Sequence, residues 1–167
     1  MKRVIGICVT LCMVVGLNAQ ELNTWKYKGF VDVEGGIAYN LNTAQTVSTI
    51  NMQFMTCLTT THGVAFKNVF LGAGLGYYRS YRDNENIYPF YLAGRYTFAK
   101  GKLKPFLEAR GGIVYDAKWI ETTQLYGSLT FGVNVYKRFQ IGCRGVLFTR
   151  PSRYFTTNAS VVLGYEF

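Results

Sequence analysis

The C-terminal segment alternates in character to its last residue. Phe167, Tyr165, Leu163, Val161 and Ala159 occupy every second position, and Glu166, Gly164, Val162, Ser160 and Asn158, mostly polar or small, lie between them. Successive side chains of a strand point to opposite faces, so this pattern is a strand with one apolar face. A flat, apolar strand at the end of a chain is an aggregation hazard unless it is paired. Pairing it with the first strand of a closed barrel removes the free edge.

The same period repeats along the chain. Eight strands are expected at residues 27–40, 47–59, 65–79, 87–98, 103–115, 125–136, 139–148 and 154–167. They are longer than the roughly 5–6 residues usual in globular sheets and match the roughly 9–11 of a tilted transmembrane strand. No linker or second domain interrupts them. The expected fold is therefore all-β: an eight-stranded, antiparallel, up-and-down barrel.

Parity assigns the faces. Val69, Leu71, Ala73, Leu75 and Tyr77 share one side of the third strand, against Phe70, Gly72, Gly74, Gly76 and Tyr78. Leu125, Gly127, Leu129, Phe131, Val133 and Val135 of the sixth strand oppose Tyr126, Ser128, Thr130, Gly132, Asn134 and Tyr136. The charged residues obey the same rule. Asp32, Glu34, Arg95, Glu108, Arg110, Arg144 and Glu166 all fall opposite the apolar face. In a membrane barrel they form a lumen charge network; in a soluble barrel they would be solvated surface. The glycines favour the first reading. Gly36, Gly72, Gly74, Gly76, Gly112, Gly132, Gly142 and Gly164 lie mainly on the charged side. Glycine weakens an exposed strand, but inside a narrow tube it leaves room for Arg and Glu side chains reaching across.

Connections follow in alternation. With both ends of the chain on the periplasmic side, the external loops are 41–46, 80–86, 116–123 and 149–153, and the periplasmic turns are 60–64, 99–102 and 137–138. Long external loops and short periplasmic turns are the outer-membrane pattern. Aromatics collect towards strand ends: Tyr39, Tyr77, Tyr88, Tyr115 and Trp119 outside, and Phe98, Phe106, Tyr136, Phe139, Tyr165 and Phe167 at the periplasmic side. These would be two interfacial girdles.

The N-terminus sets the compartment. Met1-Lys2-Arg3 is a short basic region, an apolar run of about 14 residues follows, and Asn18-Ala19-Gln20 supplies small residues for cleavage. Residues 1–19 read as a secretory signal peptide, leaving 20–167 for the barrel. The run is shorter than the roughly 18–20 residues of a membrane-spanning helix. No other stretch is long and apolar enough for such a helix. Only a closed barrel could then satisfy the backbone in lipid.

Signal peptide, eight amphipathic strands and the terminal aromatic together resemble the small outer-membrane β-barrels of the OmpA/OmpX type. The resemblance covers essentially the whole mature chain. It implies localisation in the cell outer membrane, and Leu163, Tyr165 and Phe167 as an assembly signal read by the barrel-assembly machinery. It implies little about activity. Some eight-stranded outer-membrane barrels acylate or deacylate lipid A, using a Ser–His pair with an acidic residue near the outer leaflet. The one histidine here, His62, is expected in a periplasmic turn, the wrong side for that chemistry. No catalytic residues, metal ligands or cofactor are assigned. The Glu108–Arg110 and Asp32–Glu34 pairs could serve as acid–base groups, but they read as an ion-pair network that neutralises buried charge, since unpaired charge in a dry tube is costly.

Two cysteines follow the signal segment, Cys57 facing the lumen and Cys143 facing lipid, on strands that are not neighbours; both read as free thiols. The formal charge of the chain is +9, but an exported protein has no access to nucleic acid. Arg79, Arg82, Lys118, Arg150 and Arg153 gather at the expected external rim. There, outer-membrane lipid and the phosphates of lipopolysaccharide are the nearest anionic partners, and a plain solvated rim explains the pattern as well. The expected role is non-enzymatic and monomeric: envelope integrity or surface interaction. A narrow channel and a soluble, lipocalin-like secreted barrel are the alternatives.

Overall fold

A computed structural model describes residues 25–42, 51–82, 84–98, 103–116, 124–136, 138–149 and 154–167. Eight strands follow in chain order: β1 (Trp25–Asn42), β2 (Asn51–Phe66), β3 (Val69–Ser80), β4 (Glu85–Thr97), β5 (Lys104–Asp116), β6 (Gln124–Tyr136), β7 (Phe139–Thr149) and β8 (Tyr154–Glu166). Each pairs antiparallel with the next, and β8 pairs with β1 to close the barrel. Closure is tight at its lower end. The Gly29 N–H donates to the Phe167 carbonyl at 3.0 Å, and the Phe167 N–H donates to Gly29 at 2.9 Å. The exposed edge expected of the terminal strand is thereby paired.

Alternation decides which way each side chain points. On β2, Gln53, Met55, Cys57, Thr59 and Thr61 are buried, whereas Met52, Phe54, Leu58 and His62 are exposed. β7 repeats the pattern, with Gln140, Arg144, Val146 and Phe148 inside and Phe139, Ile141, Cys143 and Leu147 outside. The polar and charged set faces inward and the aliphatic set faces outward. A soluble barrel requires the reverse, because apolar area must leave water. Leu92, Leu125, Phe131 and Leu163 are all more than half exposed, a wall suited to hydrocarbon.

Four sequence expectations are corrected. The β2–β3 turn is not at 60–64. β2 continues through His62 and Gly63 to Phe66, and the chain reverses at Lys67–Asn68, with Lys67 in the left-handed region at φ 53°. Phe106 is not in a girdle; it is buried inside, as its shared parity with Glu108 requires. Tyr136, which parity put towards the lumen and the girdle reading put outside, faces outward, because a register shift between Asn134 and Tyr136 turns it. The inward glycines mostly accommodate neighbouring rings and close strands rather than guanidiniums. A Cβ on Gly74 would lie 2.6 Å from the Tyr91 ring, and one on Gly132 would lie 2.6 Å from the Phe106 ring. Gly164 alone fits the expectation, since a Cβ there would meet Gln140 and the Asp32 carboxylate.

Candidate functional site: the lumen network and the barrel rims

The middle of the lumen holds three carboxylates and three guanidiniums. Asp32 and Glu34 come from β1, Arg95 from β4, Glu108 and Arg110 from β5, and Arg144 from β7, and all six are buried. Arg110 is a hub. Its Nε donates to Glu108 Oε1 at 2.6 Å, its Nη1 to Tyr91 Oη at 3.0 Å and Thr59 Oγ1 at 3.1 Å, and its Nη2 to Asp32 Oδ2. Arg144 is the second hub. Its Nη2 lies 3.0 Å from Asp32 Oδ2 and 3.2 Å from Glu108 Oε1, its Nη1 bonds Glu34, and its Nε donates to Thr130 Oγ1 at 2.6 Å. Planar, forked guanidiniums suit this geometry because each presents several donors in fixed directions.

Neutral side chains complete the carboxylates. Gln140 Nε2 donates to Asp32 Oδ1 at 2.8 Å, and Ser160 Oγ donates to Glu34 Oε2 at 3.1 Å. Arg95 Nε donates to Glu108 Oε2 at 2.7 Å and its Nη1 to Gln140 Oε1 at 2.6 Å. Every strand except β3 supplies a side chain. The inward positions of β3 at this level are Gly72, Gly74 and Gly76, and the Tyr91 ring packs over Gly74. Sequence reasoning missed Thr59, Tyr91, Thr130, Gln140 and Ser160. Their parity with the charged residues was the available signal; their neutrality hid it.

Aromatic layers cap the network on both sides. Below it, the Arg95 guanidinium sits between the rings of Phe30 (3.9 Å) and Phe106 (4.3 Å), and Phe70 meets Phe30 edge-on at 4.9 Å. Above it, Tyr78, Tyr126 and Phe148 pack together, with centroids 5.4 Å apart for Tyr78–Phe148 and 5.7 Å for Tyr126–Phe148. Met55, Ile87 and Val114 fill the space around them. Cation–π stacking and apolar layers keep water from the ion pairs, which strengthens each of them.

No family model matches the chain, and no curated protein matches it. Solved structures do. Neisserial surface protein A (NspA) aligns over 83% of this chain and 97% of its own, with a TM-score of 0.58 at 13% identity. The outer membrane enzyme PagL aligns over 80% of this chain and 98% of its own, with a TM-score of 0.56 at 14% identity. The fold is that of the small outer-membrane β-barrels.

Lys67–Asn68, Arg138 and the Gly29–Phe167 closure lie together at one end of the barrel, the end that the short-turn rule for outer-membrane barrels and the sequence reading both call periplasmic. Glu166 lies at this end and not in the lumen network: Lys28 Nζ contacts its Oε1 at 2.5 Å. Its inward parity is right, but it sits one layer below the charges, where the lumen opens and Lys28 is within reach. Leu163 and Tyr165 line the outward side of β8, exposed Phe167 follows its last residue, and Tyr165 packs on Phe139 at 5.3 Å.

His62 is on the outer wall near the same end. Its Nδ1 is 2.6 Å from Tyr27 Oη and its Nε2 is 3.0 Å from Thr60 Oγ1, while Phe167 packs edge-on against its ring at 5.6 Å. At the external rim, Arg79 donates to Asn84 Oδ1 at 3.0 Å, and Arg82 Nη1 lies 3.4 Å from the Met52 carbonyl. Tyr77, Tyr88 and Tyr115 form a continuous belt across β3, β4 and β5, with centroids 5.4 and 6.5 Å apart. Lys118, Trp119, Arg150 and Arg153 lie outside the described residues. Cys57 is buried and Cys143 exposed, and both are free thiols.

Proposed function

We propose that this chain is a non-enzymatic, monomeric integral outer-membrane protein that acts through its outer wall and rims, in envelope integrity or surface interaction. Export would use the segment 1–19, removed after Ala19, and insertion would use the barrel-assembly machinery through Leu163, Tyr165 and Phe167. The observation that carries the reading is the filled lumen. Three carboxyl and three guanidinium side chains bond one another between two aromatic layers. An eight-stranded interior is just wide enough for side chains to fill, so a closed, neutral plug argues against conduction.

Catalysis finds no support in the site chemistry either. A general base must reach the proton it abstracts, and the one histidine of the chain is bonded between Tyr27 and Thr60 at the periplasmic end. PagL is an enzyme with a similar fold, but function resides in sites and not in folds. Arg79 and Arg82, with Lys118, Arg150 and Arg153 of the neighbouring loops, would meet anionic lipid or lipopolysaccharide outside. The test is single-protein reconstitution. Mature protein in a planar bilayer should give no unitary conductance and should leave the acyl chains of added lipid A unchanged. Discrete channel steps, or released fatty acid, would overturn the reading.

A further inference from the structure

The described basic residues are not concentrated at the external rim. Lys26, Lys67, Lys104 and Arg138 are exposed at the periplasmic end, and Lys28 is half-buried there. Among the described residues, Glu166 is the one carboxylate side chain at that end, and it is engaged by Lys28. The other four cations make no ion pair among the described residues.

Their neighbours are equally specific. Lys26 shares the inward parity of Lys28 and stands at the mouth of the lumen, while Trp25 next to it in sequence faces out and packs on Phe66 at 5.0 Å. Lys67 Nζ lies 5.1 Å from the Phe66 ring centroid. Arg138 Nη1 donates to Tyr165 Oη at 3.1 Å, beside exposed Phe139. Lys104 shares the inward parity of Phe106 and Glu108 and likewise stands at the mouth of the lumen. Aromatic side chains with a wet end settle at the membrane–water boundary. A cation beside such a belt stands at headgroup depth, where it can reach a lipid phosphate.

We propose that this ring of Lys26, Lys67, Lys104 and Arg138 is a docking surface for anionic phospholipid headgroups in the periplasmic leaflet. Charge complementarity, with the aromatic rings beside Lys67 and Arg138, favours a lipid over a soluble acidic protein, which would not need the rings. The inference rests on membrane integration, and the test separates the two.

Trp25 is a reporter within the ring. In a Trp119→Phe background it is the one tryptophan left. The mature protein is folded into phosphatidylcholine vesicles containing brominated phosphatidylglycerol or, at the same mole fraction, brominated phosphatidylcholine, and Trp25 quenching is compared. Because the reporter is local, barrel orientation in the vesicle does not matter. Brominated phosphatidylglycerol should quench several-fold more, since each basic residue near a surface enriches anionic lipid about five-fold.

Lys26→Gln, Lys67→Gln, Lys104→Gln and Arg138→Gln together should remove that preference, and Arg79→Gln with Arg82→Gln should leave it. Should the four-fold variant not fold, a salt series on the parent protein serves instead: the preference should decline as the screening length falls from about 30 Å to about 3 Å between 0.01 and 1 M salt. Equal quenching by the two lipids overturns the proposal, as does a preference that survives both neutralisation and salt. Quenching by neither lipid overturns membrane integration, and this proposal with it.

Discussion

Arg144 and Arg79 carry the same side chain on β7 and β3, and their surroundings differ completely. Arg144 is buried, touches Asp32, Glu34 and Glu108, and donates to Thr130. Arg79 is half-exposed at the rim and bonds the amide oxygens of Asn84 and Asn86 at 3.0 and 3.4 Å. Inside, a guanidinium is held because removing it strands carboxylates in a dry layer. At the rim, water and headgroups substitute for any lost partner. Charge inside the lumen is therefore architecture, and charge at the rims is not.

The sharpest test of that contrast removes Arg144. Arg144→Met should cost about 3–5 kcal/mol by leaving three carboxylates short of their partner, whereas Arg79→Met should stay within about 0.5 kcal/mol. Urea unfolding in lipid, followed by gel mobility of folded and unfolded forms, measures both. Arg144→Lys should rescue little, because one ammonium cannot replace the fork. Equal costs at the two sites would end the comparison.

Placing charge on the outer wall should come next in size. Leu129→Arg, at mid-height on the lipid face, should destabilise by about 2–4 kcal/mol, and Phe139→Arg near the periplasmic interface by about 0–1. The same unfolding measurement applies. Similar values at both depths would mean that this wall does not face a bilayer.

Glycines give an intermediate contrast. Gly164→Ala pushes a methyl group onto Asp32 and Gln140 and should cost about 1–3 kcal/mol as overpacking. Gly111→Ala and Gly145→Ala face outward with nothing within 4 Å of the added carbon. They should be neutral or stabilise by up to about 1 kcal/mol. A Gly164→Ala barrel as stable as the parent would show that the network tolerates displacement.

The smallest effect on stability belongs to the external rim. Neutralising Arg79, Arg82, Lys118, Arg150 and Arg153 together should leave folding unchanged and weaken lipopolysaccharide binding at low salt, with the difference fading as salt screens it. Binding that is unchanged across the salt series would reduce that rim to solvated surface.

Much of this architecture is legible in the sequence. Period-two alternation marks strand faces because neighbouring side chains in a strand must diverge, so parity alone puts Asp32, Glu34, Arg95, Glu108, Arg110 and Arg144 on one shared face; that this face is the lumen needed the barrel itself. Where parity is broken or uninterrupted across a turn, the sequence misleads. Thr60, Thr61 and Gly63 have turn-like composition, yet the β2–β3 reversal comes later, at Lys67, a residue type with no preference for its left-handed conformation. The shift between Asn134 and Tyr136 inverts one ring for the same reason: one irregularity resets every later side chain.

The sequence by itself determined the strands, their faces, and the separation of charge from grease, because these depend on neighbours one or two residues away. Only the tertiary structure decided who meets whom. Arg144 reaches Glu34 across 110 positions of chain, and Arg110 reaches Asp32 across 78. The closed barrel sets those pairings through the relative heights of eight strands, and height depends on every turn between them. It also left Glu166 one layer below the network, paired with Lys28, a distinction parity cannot make because it records which side a residue faces and not how far along the axis it stands.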